Sequence, residues 1–142
     1  MDNIQFFYED TSFELKDHER ISQWITHTVE QEGFNIESIN YIFCSDEYLH
    51  QVNVDYLNHD YYTDIITFDN SENEEHIESD IFISIDRVED NAEQQGISFS
   101  EELRRVIIHG ILHLVGYNDK TEEEKSLMRE KENAYLSLPQ FQ

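Results

Sequence analysis

One stretch in the last third of the chain is apolar on nearly every side. It begins at Ser98, which with Glu101 forms a capping box, and it ends at Gly116. Its apolar residues cover much of a helix circumference: Leu103, Val106, Ile107, Ile108, Ile111, Leu112 and Leu114. A helix with so little polar surface has to be enclosed by other elements. We therefore predict a central helix packed on a sheet.

The rest of the chain alternates between the period of a strand and the period of a helix. The predicted strands are Ile4 to Tyr8, Ile39 to Phe43, Asp64 to Phe68 and Asp80 to Ile85. Three further helices are predicted: Asp17 to Glu32 with Asp17 as cap, one that begins at Ser45, and Arg87 to Gln95. A last helix starts at a Thr121–Glu124 capping box, and its partly apolar face consists of Leu127, Met128, Lys131 and Tyr135. The acidic segment Asp69 to Ser79 reads as a solvated hairpin connection. This order predicts an α+β fold in which about five helices cover one face of a mixed four-stranded sheet.

Length and composition favour one domain that stays in the cytoplasm. The 142 residues fit a single domain, 1–142, with one modest core. Met1 to Asp10 lack the basic and apolar regions of a leader, and no stretch approaches the length of a membrane span. The single cysteine, Cys44, follows Ile42 and Phe43, so it reads as an inert thiol in a buried strand.

Net charge argues against a nucleic-acid partner. The formal value is -23, and a surface of that sign repels phosphates at long range. However, six of the nine basic residues lie in the last third: Arg104, Arg105, Lys120, Lys125, Arg129 and Lys131. They indicate either a local binding patch or a solvated helix face of alternating charge.

Chemistry is concentrated where the central helix ends. His109 and His113 are four residues apart on the helix, so their side chains point the same way. Gly116 allows the chain to reverse, which can return Asp119 toward both rings. Three protein ligands leave a coordination position open, where a catalytic zinc binds a water that loses a proton near neutral pH. We predict one zinc ion at the end of the central helix.

The alternative is that both histidines are core residues bonded to backbone, with Asp119 only capping the next helix. Two buried imidazoles on one helical turn would then need separate partners. This requirement favours the metal site.

The stretch His109 to Asp119, H-G-I-L-H-L-V-G-Y-N-D, resembles the H-G-x-L-H-L-x-G-Y-D-H motif of the YbeY endoribonucleases, an rRNA maturation family. Upstream, the family segment N-x-x-Y-R-x-x-D-x-P-T-D-V-L-S-F is similar to this chain at Asn53, Tyr56, Asp60 and Thr63 to Phe68. A family strand, G-D-I-x-I-S, resembles Ser79 to Ser84, and Met128 and Glu132 match a methionine and an acid of the last family helix.

This resemblance implies a zinc-dependent, single-strand-specific endoribonuclease. It further implies roles in maturation of the 3′ end of 16S rRNA and in ribosome quality control, with ribosomal RNA and the small ribosomal subunit as partners. Two positions depart from the family. Asp119 replaces a histidine ligand but still offers an oxygen to zinc, and Leu57 replaces an arginine expected to act on substrate phosphate.

Further site residues, beyond the three metal ligands, follow from the resemblance and from nearby positive charge. Substitutes for the absent arginine are Arg104, Arg105, Lys120 and His59. Asn53, Thr63 and Asp64 are expected to line the cleft, although capping explains Asn53 and Thr63 equally well. Zinc would activate water or polarise a phosphodiester oxygen. The sequence leaves open whether hydroxide or the ribose 2′-hydroxyl attacks.

Two other functions fit part of the pattern. Metzincin peptidases share the ligand spacing, but they carry a glutamate general base directly after the first histidine, where this chain has Gly110. A non-catalytic ribosome-assembly factor, whose acidic surface docks a basic ribosomal protein, would fit the net charge and Leu57. The same ligand set can also hold iron.

Overall fold

Four strands and five α-helices lie along residues 3–141, the part of the chain that the computed structural model describes. They are β1 (Ile4–Glu9), α1 (His18–Gln31), β2 (Asn35–Cys44), α2 (Asp46–Leu57), β3 (Ile65–Asp69), β4 (His76–Ser84), α3 (Ile85–Gln95), α4 (Phe99–Leu114), α5 (Glu122–Leu136) and a 3-10 turn (Pro139–Phe141). The predicted α+β class, with a mixed four-stranded sheet and five helices, is confirmed. Residues 1, 2 and 142 of the expected domain lie outside the described part.

The sheet has the order β1-β2-β4-β3. β1 and β4 pair with β2 in parallel, and β3 pairs with β4 in the antiparallel direction. The antiparallel register sets Ile65 opposite Ile83. β3 is therefore an edge strand, and its first residues lie beside the end of β4.

The main core lies between one face of the sheet and helices α1 and α4. α4 contributes four side chains with no exposed surface: Ile107, Ile108, Ile111 and Leu112. They share one cluster with Tyr41 and Phe43 of β2 and with Trp24 of α1. Burying each large apolar side chain contributes about 1.5–3 kcal/mol, so this contact fixes the orientation of α4. The prediction of a central helix is confirmed.

The opposite face of the sheet is also covered, so the prediction that helices cover only one face is wrong. Leu49 and Val52 of α2 pack with Cys44 and Ile66 in a second, smaller cluster. Alternate residues of a strand point to opposite faces, and an interior strand with parallel neighbours is apolar on both. Helix α2 therefore lies on one face of the sheet and α4 on the other.

Several element boundaries differ from the predictions. β4 begins at His76, inside the segment expected to be solvated, because Ile77 is buried and Ser79 donates to the Phe68 carbonyl at 2.7 Å. Asp17 has a φ of 59° and makes no side-chain capping bond. α3 begins earlier than Arg87, since the Ser84 hydroxyl accepts from the Arg87 amide.

The predicted caps of the last two helices form. The Ser98 hydroxyl accepts from the Glu101 amide at 3.1 Å. At α5, Thr121 and Glu124 form a complete capping box. Among residues 3–141, no helix has both the length and the apolar composition needed to cross a bilayer.

Candidate metal centre

Two histidines occupy the polar edge of α4. His109 and His113 are one turn apart, and their ring centroids are 4.6 Å from each other. The opposite side of this helix is held in the core, so α4 presents both side chains toward the same edge. Both side chains stay partly open, with 22% and 30% of their surface exposed.

The turn after α4 returns the chain to these rings. Gly116 has a φ of 110°, its amide bonds to the His113 carbonyl, and the Tyr117 amide bonds to the Leu112 carbonyl. This is a Schellman ending, which needs a residue of positive φ. The α5 capping box at Thr121 then sets the direction of the next helix, so Asp119 lies in a short loop fixed at both ends.

Asp119 lies against both imidazoles. Its Oδ2 atom is 3.4 Å from Nε2 of His109 and 3.4 Å from Nε2 of His113. The possible ligand atoms of the three residues all lie within 4.8 Å of one another. The residues predicted from the sequence thus come together and can hold one metal ion.

A fourth residue, Glu132 of α5, orients the first histidine. Its Oε2 atom is 2.7 Å from Nδ1 of His109, and its Oε1 atom accepts from Arg105 at 2.9 Å. Burial alone would raise the pKa of Glu132, but the bonds from His109 and Arg105 outweigh it and lower that pKa. The carboxylate is therefore ionised and accepts a hydrogen bond from Nδ1 of His109, while Nε2 of that ring faces Asp119.

Glu132 was not among the predicted site residues. Leu127 was expected on the inner face of α5, yet Leu127 is 45% exposed. The buried residues of α5 are Met128, Glu132 and Tyr135. Their spacing of four and three is itself helical, so an acid in phase with Met128 and Tyr135 was the signal that could have identified Glu132.

A pocket of about 340 Å³ opens beside His109 and Asp119. Its charged walls comprise four carboxyl groups and three cationic side chains, from Asp64, Glu102, Asp119, Glu132, Arg105, Lys125 and Arg129. Asp64, the residue just before β3, also lines this pocket. Burial raises the pKa of Asp64, and the nearby His109 partly opposes that rise.

The other two residues expected in the cleft hold the loop between α2 and β3. Asn53 is 1% exposed, and its side chain donates to the Tyr61 carbonyl at 2.9 Å. The Thr63 hydroxyl lies 3.4 Å from the Ile65 carbonyl that it donates to. Of the three residues, only Asp64 lines the described pocket. Their contact with substrate stays a prediction.

Of the four candidate substitutes for the absent arginine, only Arg105 lines the described pocket. Arg104 lies over the Trp24 ring at 4.6 Å and donates to the Phe141 carbonyl. Lys120 is exposed in the loop before α5, and the His59 ring stacks on Tyr61. Lys125 and Arg129, which were noted only as part of a basic stretch, line the pocket as well.

Gly110 packs against β3 and β4. A Cβ there would lie 2.9 Å from Cδ1 of Ile65 and 3.3 Å from Cγ2 of Thr67. A glutamate at this position would have to enter the core. The site therefore has no place for the general base that metzincins carry after their first histidine.

Comparison with known proteins gives consistent matches over nearly the whole chain. The family model described as Endoribonuclease YbeY matches residues 3–139. A Cytophaga hutchinsonii protein named Endoribonuclease YbeY is 56% identical, covering 99% of this chain and 98% of its own. A Flavobacterium johnsoniae protein of the same name is 50% identical, covering 95% and 96%. The solution structure of TM1509 from Thermotoga maritima matches with a TM-score of 0.64 and 27% identity, over 92% of this chain and 86% of that one.

Proposed function

Because this chain belongs to the endoribonuclease YbeY family, we propose that residues 1–142 form one zinc-dependent endoribonuclease domain specific for single-stranded RNA. The single observation that carries the proposal is the convergence of His109, His113 and Asp119 beside an open pocket.

The donor set supports zinc. Tetrahedral zinc with bonds of about 2.0–2.2 Å keeps neighbouring ligand atoms about 3.3–3.6 Å apart. Asp119 Oδ2 lies 3.4 Å from each imidazole nitrogen. Two imidazoles and one carboxylate leave room for substrate or solvent. When bound there, zinc supplies Lewis acidity that polarises a phosphoryl oxygen or lowers the pKa of water.

The surrounding side chains prepare the site for that role. Glu132 keeps the proton of His109 on Nδ1, so that Nε2 stays a ligand. Arg105 holds Glu132 in turn. Asp64 adds a carboxyl group to the same pocket, where it can accept or return a proton during cleavage of the RNA backbone.

The biological setting is carried over from the family resemblance. We propose that the enzyme acts in the cytoplasm, on the 3′ end of 16S rRNA and in ribosome quality control. Its partners would be ribosomal RNA and the small ribosomal subunit, including a basic ribosomal protein. The formal charge of -23 supports contact with a basic protein, because opposite charges steer association.

Metal analysis and cleavage assays test the proposal. The purified protein and its His113→Ala variant are incubated with single-stranded RNA and with an unfolded polypeptide. His27→Ala, which removes a histidine of α1 outside the site, is the matched control. We expect about one zinc per chain in wild type and in His27→Ala, with RNA cleavage lost only in His113→Ala.

The alternatives give different results. Cleavage of the polypeptide alone would favour a peptidase, and bound metal without any cleavage would favour the assembly factor. Either result contradicts the nuclease. The product ends identify the attacking group, since a 2′,3′-cyclic phosphate requires attack by the ribose 2′-hydroxyl.

A further inference from the structure

Two cationic side chains stand on α5 at the rim of the metal pocket. Lys125 and Arg129 are one helical turn apart, and both line the pocket that contains His109 and Asp119. Their side chains are 58% and 55% exposed. The charged ends therefore reach solvent at the entrance to the site.

Neither cation is held in a strong ion pair among the described contacts. Lys125 Nζ lies 4.0 Å from Glu122, whose side chain is 96% exposed. Arg129 Nη1 lies 4.0 Å from Glu132, whose same oxygen already accepts a 2.9 Å bond from Arg105. The Lys125–Glu122 pair is exposed and contributes little free energy. Glu132 is only 7% exposed, but the charge of its oxygen is already shared with Arg105, and Arg129 stays 4.0 Å from it. Both side chains can turn to an anion at small cost.

Arg105 is not equivalent to these two. Its side chain is 15% exposed and its bond to Glu132 is short, so its charge is used inside the protein. In the pocket walls, the four carboxyl groups outnumber the three cations. A phosphodiester that enters needs mobile positive charge at the rim, in addition to the metal.

We infer that Lys125 and Arg129 bind backbone phosphates of single-stranded RNA next to the metal centre. They provide the cationic contact that Leu57, 38% exposed on α2, cannot provide. The inference rests on the proposed function and assigns substrate binding to these two side chains of α5. An arginine binds phosphate with two parallel hydrogen bonds, and a lysine binds it as a point charge.

Salt dependence of binding tests this directly. A fluorescein-labelled 2′-O-methyl oligouridylate is titrated with zinc-loaded protein at several KCl concentrations, and fluorescence anisotropy gives Kd. Each lost phosphate contact reduces the slope of log Kd against log salt by about 0.7. We expect that loss for Lys125→Gln and for Arg129→Gln, and roughly twice that loss for the double variant.

Controls separate charge from structure. Lys16→Gln removes an exposed lysine at a different pocket and should leave Kd and slope unchanged. Lys125→Arg and Arg129→Lys keep the charge and should keep the slope. Zinc content and thermal melting of every variant are measured alongside, because a purely structural effect would alter these.

Two results would overturn the inference, and they are distinguishable. If wild type binds and cleaves RNA while the double variant keeps the wild-type Kd and slope, the phosphate contacts lie elsewhere and the proposed function stands. If wild type neither binds nor cleaves RNA, the proposed function falls together with the inference.

Discussion

Nδ1 of His109 lies 2.7 Å from Oε2 of Glu132, a residue 23 positions later in the chain. The contact joins α4, which carries two of the candidate ligands, to α5. Because Glu132 also accepts from Arg105, the carboxylate is fixed from two directions. The orientation of a ligand thus depends on how two helices pack.

Replacing this carboxylate should weaken metal binding. In Glu132→Gln, one acceptor oxygen becomes an amide nitrogen, so either His109 or Arg105 faces a donor. Loss of such an outer partner usually costs about 10–100-fold in metal affinity. Competition with a fluorescent chelator measures zinc affinity. Glu130→Gln, an exposed acid of the same helix, should behave like wild type, and equal affinities in the two variants would refute the role of Glu132.

Gly116→Ala should destabilise the fold and also weaken metal binding. A Cβ meets no atom there, but a φ of 110° strains any other residue by about 1–3 kcal/mol. If the backbone relaxes to relieve that strain, the turn shifts and Asp119 moves away from the two imidazoles. Gly33→Ala is the matched control, since Gly33 has a φ of 88° and equally open space beside α1. Urea denaturation should register both losses, whereas chelator competition should register a change only for Gly116→Ala.

Glu32 should make the fold sensitive to acid. Its carboxylate accepts from the hydroxyls of Tyr117 and Tyr135 and lies 3.7 Å from Lys131. Burial raises its pKa, but these partners outweigh burial and hold the pKa below its ordinary 4.5. A pKa lowered by folding contributes stability that is complete above pH 4.5 and is lost as pH falls through the folded-state value.

The corresponding measurement is the free energy of unfolding in urea between neutral and acid pH. Glu32→Gln should be less stable than wild type at neutral pH, by an amount on the order of 1–3 kcal/mol. This difference should shrink in acid. Glu30→Gln, an exposed acid of α1, should show no such change, and a pH-independent difference for Glu32→Gln would exclude this linkage.

Cys44 should be unreactive in the folded protein. Its thiol has no exposed surface and donates to the Ile83 carbonyl at 3.5 Å. Burial, assisted by the negative charge of Asp46, raises its pKa to about 12. Because the thiolate is the reactive form, Ellman's reagent should react only as fast as the chain unfolds, and at once in guanidinium chloride. Rapid reaction of the native protein would mean that the strand opens locally.

Local patterns were sufficient for much of the fold. The apolar circumference of α4 predicted its central place, and the Thr121–Glu124 box predicted the start of α5. Local patterns did not predict the elements whose bounds depend on pairing with a segment far away in the chain. His76 to Ser79 were expected to be solvated because the segment Asp69 to Ser79 is acidic and short of apolar residues, yet pairing with β2 extends β4 through them.

The same division holds at the site. The spacing of His109, His113 and Asp119 was enough to predict a metal site, because helix geometry and one glycine determine where these residues point. The family resemblance pointed to Asp64, and helical spacing can show that Glu132 faces inward. Which residue Glu132 meets depends on how α5 packs against α4, and no local rule predicts that contact.

The sequence alone determined the elements and the three candidate ligands, since both follow from interactions between residues a few positions apart. Only the tertiary structure decided that helices cover both faces of the sheet, that Glu132 orients His109, and that Lys125 and Arg129 share the pocket. These features join segments that are far apart in the chain. Which of their side chains meet is determined by burial of the common core, because local preferences act only between residues a few positions apart.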